Sequence, residues 1–237
     1  MLFYYVRHGD PVYDPDSLTP LGHRQAEAIG RRLAMHGVDR VFTSTSNRAI
    51  LTAKPLCELL KLKSEALDFA NESHAWREMT YDTSEGRRWL FNHRETKYLS
   101  TLPEIRALDE RWYEHPLFEK YNYKAGIERV QDALDEFFLS LGYEHIRGTG
   151  RYRTVRSNKE RVAMFAHAGF GSLFFSCALD IPYLEFCARY DMCTTGLSVI
   201  DFQECGEWAI PTVLTFSNDS HIYKEGLPAA YGRGSAF

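Results

Sequence analysis

The sequence predicts an α/β fold: a three-layer α/β/α sandwich around a mostly parallel central sheet, with a helical and loop insertion over one end. Apolar runs rich in aromatic and β-branched residues at 2–6 and 161–166 are typical of buried strands. A strand–helix–strand–helix order implies parallel pairing with right-handed crossovers. The length of 237 residues suits a single domain over 1–237, and we place the insertion at about 66–125.

The first unit runs from the strand at 2–6 to a helix that ends at Gly37. Residues 10–20 hold three prolines together with Asp and Ser, so we expect a loop there. Thr19 is placed to cap the helix, and Pro20 occupies its first position, where an N–H would have no partner in the helix. Gly37 is a typical residue for the helix end.

The second unit is a short strand at 38–44 and a helix at 46–62, which Pro55 either kinks or bounds. The alternation of strands and helices then ends. Residues 66–125 are rich in Trp, Tyr, Arg, Glu and His, and we expect short helices and loops that cap one end of the sheet. The Tyr and Trp side chains of 76–123 are expected to pack inside this cap rather than to form a substrate cage.

The remaining elements complete the sheet. Helical spacing of apolar residues predicts a helix at 126–142, and the glycines near 148–150 predict a β-hairpin over 143–160. Two closing strands follow at 197–203 and 208–217. The hairpin arginines either reach the mouth of a binding pocket or form a solvated arm, which we favour; they are Arg147, Arg151, Arg153 and Arg156.

Composition narrows the function classes. The formal net charge is −4 without an excess of Lys and Arg, which argues against a nucleic-acid surface. No apolar run approaches the ~18 residues of a membrane span, and no cationic region precedes the short apolar start, so we expect no signal peptide. The five cysteines include no CxxC pair, which favours reduced thiols in a cytoplasmic protein.

Two apolar strands end on a histidine, at His8 and His167. Ligands of open α/β sheets bind at the carboxyl ends of the strands, and adjacent strands lie about 4.8 Å apart. If the two strands are neighbours, both histidines face one small pocket. The small residues that follow them, Gly9 and Ala168, would let backbone amides approach a bound anion.

Two arginines could complete this pocket. Arg7 precedes the first histidine, and Arg48 lies near the start of the second helix. Guanidinium groups, histidines and helix-terminal amides together favour a phosphate. They suit a metal ion poorly, because nearby arginine cations oppose another cation. We therefore predict neither a metal nor a cofactor.

The motifs RHG at 7–9, SNRAILTA at 46–53, NES at 71–73 and HAG at 167–169 occur in one order along the chain. In this order, the set resembles the histidine phosphatase superfamily, the phosphoglycerate-mutase-like proteins, from residue 3 to about residue 221. The helix lead LTPLGHRQA and the tail NDSHI are similar to family features as well.

The resemblance implies metal-free phosphoryl transfer. His8 would attack phosphorus and form a phosphohistidine, while Arg7, Arg48 and His167 hold the phosphoryl oxygens. Glu72 of the NES motif would protonate the leaving oxygen and then activate water. The tail would place His221 near the site, behind the groups that contact the phosphate.

Several assignments stay open. Glu78 could take the acid–base role if SHAWREM were aligned instead of NES. Asp10 and Asp14 depart from the family pattern after RHG, and we leave both outside the catalytic set. The remaining histidines are expected on the surface or in the cap: His23, His36, His74, His93, His115 and His145.

The function that the resemblance implies is hydrolysis of a small phosphorylated metabolite. One alternative is a phosphoglycerate-type phosphomutase, whose paired-arginine element is matched only by Arg87-Arg88 without the following prolines. A second is a catalytically idle protein that binds a phosphoryl ligand. A third is a zinc hydrolase that uses His8, His167 and His221, which the two arginines oppose.

Overall fold

The computed structural model describes residues 1–231, and residues 232–237 of the predicted domain lie outside the described range. The β-strands are β1 Leu2–Arg7, β2 Pro11–Val12, β3 Ser17–Leu18, β4 Arg40–Ser44, β5 Ser64–Leu67, β6 Thr80–Thr83, β7 Gly86–Trp89, β8 Tyr143–Ile146, β9 Arg151–Thr154, β10 Arg161–Ala166, β11 Leu197–Cys205 and β12 Trp208–Asn218. The α-helices are α1 Pro20–His36, α2 Asn47–Leu60, α3 Glu72–Glu78, α4 Arg94–Lys97, α5 Pro103–Arg106, α6 Tyr123–Ser140, α7 Ala168–Leu179, α8 Tyr183–Arg189 and α9 Ser220–Lys224. Short 3-10 helices cover Asp68–Ala70, Tyr98–Thr101, Asp109–Glu114 and Pro116–Phe118.

The central sheet has helices on both faces, as predicted. Its strand order is β5-β4-β10-β1-β11-β12-β9-β8. Successive side chains of a strand point to opposite faces, and β1 shows this directly. Phe3 and Tyr5 join the core under α6 and α7, where Tyr5 lies 4.9 Å from Phe174 between ring centroids. Tyr4 and Val6 join the opposite core under α1 and α2. The three-layer α/β/α arrangement is confirmed.

The sheet is mixed rather than mostly parallel. Parallel pairing joins β1 to β10, β10 to β4, and β4 to β5. On the other side of β1, the pairs β1–β11, β11–β12, β12–β9 and β9–β8 are antiparallel. Antiparallel neighbours need only a tight turn, whereas parallel neighbours need a crossover helix. The hairpin β8–β9 was predicted as a unit, but only the fold places it at the edge of the central sheet.

The local signals at the helices are confirmed. The Thr19 hydroxyl accepts the Gly22 N–H at 3.0 Å, Pro20 opens α1, and Gly37 follows its end at φ 78°. Pro55 lies inside α2, which continues to Leu60, so it does not bound the helix. Among the described residues, no helix is both long and apolar enough to cross a bilayer.

The segment 66–125 covers one end of the sheet with short helices and the hairpin β6–β7, which the sequence did not predict. Aromatic side chains fill its interior. Trp112 is fully buried and lies 5.0 Å from Phe91 and 5.3 Å from Phe118 between ring centroids. Packing inside the cap is thus confirmed for Trp112, whereas two other tryptophans of this segment have a different environment, described below.

The arginines of the β8–β9 hairpin engage local partners. Arg153 pairs with Glu144, the Arg151 guanidinium lies 4.2 Å from the centre of the Trp208 ring, and Arg156 donates to the Ser140 carbonyl. None of the hairpin arginines lines the cavity at the ends of β1 and β10. The hairpin therefore does not act as a substrate clamp. This agrees with the solvated arm that the sequence analysis favours.

His145 is buried, which corrects its predicted surface position. Its side chain is 1% exposed, and its ring lies between Asp135 at 2.8 Å and Asp180 at 3.2 Å. Burial alone opposes the charged ring, but the hydrogen bonds to the two carboxylates raise the pKa of His145 to about 9. This charged group ties β8 to α6 and to the end of α7.

We expect this cluster to make stability fall in mild alkali. Because the folded pKa of His145 lies above its unfolded value, its contribution is complete below pH ~6.5 and is lost as the pH rises through about 9. The two pKa values correspond to on the order of 3 kcal/mol. The contribution is measured as the difference in the free energy of urea unfolding between wild type and His145→Gln, followed from pH 6 to 10. Curves that stay parallel over this range would contradict the prediction.

Candidate active site

A cavity of about 760 Å³ opens at the carboxyl ends of β1, β4 and β10, beneath the cap. It is lined by four of the predicted polar site residues, Arg7, His8, Arg48 and Glu72, and by Ala168. Ligand sites of this size and position are common in α/β proteins. The predicted residues thus converge, although they come from opposite ends of the chain.

Both sequence neighbours of His8 act on its ring, Gly9 through a hydrogen bond and Arg7 through its charge. Its Nδ1 lies 2.7 Å from the Gly9 carbonyl, and because a carbonyl only accepts, Nδ1 carries the proton. The other ring nitrogen, Nε2, is left as the unprotonated one. Burial, and then the charge of Arg7, holds the pKa of His8 well below 6.5. The ring is therefore neutral at pH 7, as a nucleophile must be.

His167 follows β10, the strand next to β1, and faces His8 with 5.2 Å between ring centroids. Its carbonyl accepts the Tyr5 hydroxyl at 2.7 Å, and its Nε2 lies 2.8 Å from the Ser44 hydroxyl. Its Nδ1 is 3.2 Å from both Arg48 Nη2 and Glu72 Oε2. Burial, and then the charge of His8, lowers the pKa of His167 well below 6.5. A neutral ring thus presents Nδ1 to the charged side of the site.

Both arginines keep donors without a protein partner. Arg7 Nη1 donates to the Met192 carbonyl at 2.5 Å, and Arg48 Nη1 contacts Asp16 at 2.8 Å. The Nε atoms of both arginines are buried and have no hydrogen-bond partner among the described residues. Both arginines also line the cavity, where their positive charge favours an anion.

Glu72, and not Glu78, lies in the cavity. It opens α3, and its Oε1 accepts the Phe170 N–H at 3.2 Å while its Oε2 approaches His167. Glu78 instead forms a bidentate pair with Arg129 at 2.7 and 2.6 Å and does not line the cavity. Of the two glutamates, only Glu72 therefore lies in the cavity, within 4.8 Å of His8 and His167 between ligand atoms.

Gly169 explains the end of the HAG motif. A Cβ at this position would collide with Glu72 Oε1 and with the indole of Trp89. The glycine lets the carboxylate and the ring lie against the first turn of α7. Ala168 lines the cavity in the same turn.

Gly9 does not bind phosphate through its amide, in contrast to the prediction. Its N–H donates to the Thr52 hydroxyl at 3.0 Å, and its carbonyl accepts from His8. A Cβ here would collide with the Gly22 carbonyl at the start of α1. The residue is a glycine because two backbone segments approach closely here. Its carbonyl orients the His8 ring.

His221 lies behind the site, as expected. Its Nε2 is 3.0 Å from the Thr195 hydroxyl, and the Thr195 N–H donates to the His8 carbonyl at 3.2 Å. Burial, and then the charge of Arg32, lowers the pKa of His221 to about 3. A neutral His221 thus supports the strand end that carries His8.

The loop after β1 presents Asp16 to the cavity, a residue that the sequence analysis missed. Asp10 turns away and accepts the Thr19 hydroxyl at 2.7 Å, and Asp14 is exposed outside the cavity. Asp16 instead pairs with Arg48, whose guanidinium lies 5.5 Å from the Tyr13 ring centre. The loop composition signalled a functional segment but not which carboxylate faces inward.

Trp76 and Trp89 also line the cavity, with 5.1 Å between ring centroids in an edge-to-face arrangement. This corrects the expectation that the cap aromatics only pack internally. Ser44 was missed as well, although it ends β4 directly beside His167. Position at a strand end was a usable signal for Ser44, whereas nothing local distinguished the two tryptophans from Trp112.

The only set of metal-ligating side chains within 4.8 Å of one another among residues 1–231 is His8, Glu72 and His167. His221 is not part of it, so the ligand set of the zinc alternative does not form. The chemistry of the three donors would suit a cation, but Arg48 Nη2 stands 3.2 Å from His167 Nδ1. A metal there would face a fixed positive charge. The two guanidinium groups that line the cavity fit an anion instead.

Comparisons with known proteins identify the fold and the family. The fold resembles phosphoserine phosphatase from Entamoeba histolytica in complex with 3-phosphoglyceric acid, with a TM-score of 0.60 at 12% identity over 93% of this chain and 98% of that one. It also resembles mycobacterial glucosyl-3-phosphoglycerate phosphatase in complex with VO3, with a TM-score of 0.59 at 16% identity over 92% and 99%. Bacillus stearothermophilus YhfR has a TM-score of 0.56 at 19% identity over 93% and 98%. No curated protein matches the sequence. A family model matches residues 3–213, and the chain belongs to the histidine phosphatase superfamily, branch 1.

Proposed function

We propose that the protein is a metal-independent phosphomonoester hydrolase that forms a phosphohistidine on His8. The observation that carries this proposal is that the neutral His8, the Glu72 carboxyl group and two arginines line one cavity. Nδ1 of His8 is committed to Gly9, so Nε2 is the attacking atom. Arg7 and Arg48 line the cavity, and their guanidinium groups stabilise the phosphoryl oxygens.

In the first step, His8 Nε2 forms a bond to phosphorus while the bond to the leaving oxygen breaks. Glu72 gives its proton to that oxygen, so the product leaves as a neutral alcohol. Arg7, Arg48 and His167 hold the three other oxygens as charge spreads over them. The amide of Ala168 opens α7 and adds the partial positive charge of a helix start.

In the second step, Glu72 takes a proton from water as the water oxygen attacks phosphorus. The P–N bond breaks, inorganic phosphate leaves and His8 returns to its neutral form. Each half-reaction is an in-line displacement with the same acid–base group, so one carboxyl serves both. His221 and Thr195 act only by holding the backbone of His8.

Hydrolysis is favoured over mutase transfer because, within residues 1–231, no arginine other than Arg7 and Arg48 lines the cavity. Arg87 and Arg88 are exposed on β7 and do not line it. Arg87 donates to the Arg77 carbonyl at 2.8 Å, away from the site. An idle binding protein would not need Glu72 beside the nucleophile. We assign the enzyme to the cytoplasm, since its five cysteines form no disulfide.

The test compares two activities of the purified protein, hydrolysis and isomerisation. We expect hydrolysis of p-nitrophenyl phosphate to persist unchanged after dialysis against EDTA, since no step uses a metal. With 3-phosphoglycerate and its bisphosphate primer, we expect negligible isomerisation. Loss of hydrolysis that Zn²⁺ restores would support the zinc alternative, and efficient isomerisation without hydrolysis would support the mutase.

A further inference from the structure

The cavity has two chemically different ends. At one end, Arg7, Arg48 and His8 line the position of the phosphoryl group, and the His167 ring lies 5.2 Å from the His8 ring between centroids. The other end is walled by Trp76 and Trp89, with amides and hydroxyls from the cap loop around them. A volume of about 760 Å³ is far more than a phosphate needs, so the organic part of a substrate occupies the aromatic end.

Trp76 offers an uncovered ring to this end. It is 37% exposed although it lines a cavity, and its ring contact is the edge-to-face pair with Trp89. Trp89 is held firmly, because its indole lies against Gly169 at the start of α7. One fixed and one open indole make a wall on which a ring can pack, and such contacts add binding energy beyond that of area burial.

The charges of the cavity oppose an acidic leaving group. Arg7 and Arg48 are its only Lys or Arg lining residues among residues 1–231, and both belong to the phosphoryl end. Asp16 adds a carboxylate to the lining. A carboxylate on the leaving group would therefore be desolvated without a cation partner.

Other cations lie close but in a different cavity. Arg88, Arg94 and Lys97 line a neighbouring space of about 550 Å³, and Trp89 and Asn92 form the wall that the two cavities share. A short acid with its phosphate at His8 meets this wall first. The cations beyond it do not pair with a carboxylate only a few carbons from phosphorus.

We propose that the site selects phosphomonoesters whose organic part is an uncharged ring packed on Trp76 and Trp89, and that it discriminates against small phosphorylated carboxylic acids. This inference rests on the proposed hydrolase function, because it assigns the leaving-group side of the same cavity. Trp76 is the specificity-determining residue, and Trp89 together with Gly169 fixes its position.

Two matched alkyl phosphates test the inference. In 2-phenylethyl phosphate and 3-(phosphonooxy)propanoate, a phenyl ring and a carboxylate occupy the same place on a primary alcohol. We expect kcat/KM to favour the phenyl compound by about tenfold or more, mainly through KM. Equal values, or a preference for the carboxylate, would overturn the inference.

Variants of Trp76 locate the effect. Trp76→Ala is expected to lower kcat/KM for 2-phenylethyl phosphate by about tenfold and to leave the carboxylate substrate within about twofold, whereas Trp76→Phe retains most of the preference. Trp208→Ala is the matched control, since Trp208 contacts Arg151 at the far edge of the sheet. An unchanged preference in Trp76→Ala would contradict the role of Trp76.

Binding measurements separate this inference from the hydrolase proposal. Calorimetry of wild type with 3-phenylpropylphosphonate and 4-phosphonobutanoate uses stable analogues of the two substrates. Tighter binding of the phenyl compound without hydrolysis of any phosphomonoester would refute the hydrolase and retain the ring preference. Hydrolysis with equal binding of both analogues would refute the ring preference and retain the hydrolase.

Discussion

Replacement of His8 by alanine is expected to lower kcat for phosphomonoester hydrolysis by on the order of 10⁴-fold or more, because it removes the atom that bonds to phosphorus. The remaining cations can still bind the substrate, so KM should change much less. The second consequence concerns the phosphoenzyme, which is measured by rapid quenching without acid after the protein is mixed with radiolabelled substrate. Wild type should carry an acid-labile, alkali-stable phosphoryl group, and His8→Ala should carry none.

His23→Ala provides the matched control. His23 lies in α1 close in sequence to the site, but it is exposed and does not line the cavity. Its replacement should leave kcat and the phosphoenzyme level within about twofold of wild type. Thermal unfolding and phosphate binding of His8→Ala verify that the fold and the anion site persist. Turnover of His8→Ala at the wild-type rate would refute the phosphohistidine mechanism.

Glu72→Gln is expected to lower kcat for an alkyl phosphate by about 10²–10⁴-fold, because the amide can neither protonate the alkoxide nor accept a proton from water. The nature of the leaving group then separates the two steps. p-Nitrophenolate leaves without protonation, so the first step should survive with p-nitrophenyl phosphate. Stopped-flow absorbance should show a burst of about one p-nitrophenol per active site, followed by slow turnover.

Glu78→Gln is the control that the structure provides. It breaks the bidentate pair with Arg129, in which the carboxylate is 25% exposed. We expect a loss of up to about 1 kcal/mol in the free energy of unfolding, with kcat within about twofold of wild type. The reverse pattern, an inactive Glu78→Gln and an active Glu72→Gln, would assign the acid–base role to the other carboxylate.

The site was predictable where residues adjoin regular elements. His8 and His167 each end a parallel strand, and the carboxyl ends of neighbouring strands meet at one edge. Arg48 lies in the first turn of α2, so its distance from β4 was fixed by a short connection. The choice of Glu72 over Glu78 came from the order of motifs, and the cavity supports it through the contact with His167.

The site was not predictable where an irregular loop decides which side chain turns inward. Asp10, Asp14 and Asp16 stand in one loop, and only Asp16 faces the cavity. The hairpin β2–β3 within this loop determines where these side chains point, and no local sequence pattern predicts that hairpin. The same holds for Trp76 and Trp89, whose exposure depends on how α3 and β7 meet Gly169.

The sequence alone determined the α/β class, the order of most elements and the phosphoryl end of the cavity, because apolar periodicity, helix caps and strand ends are local properties of the chain. The tertiary structure decided the antiparallel half of the sheet, the burial of His145 and the use of the Gly9 amide by Thr52. It also decided the aromatic end of the cavity. Each of these depends on contacts between residues that are far apart in sequence, and their geometry exists only once the layers have packed.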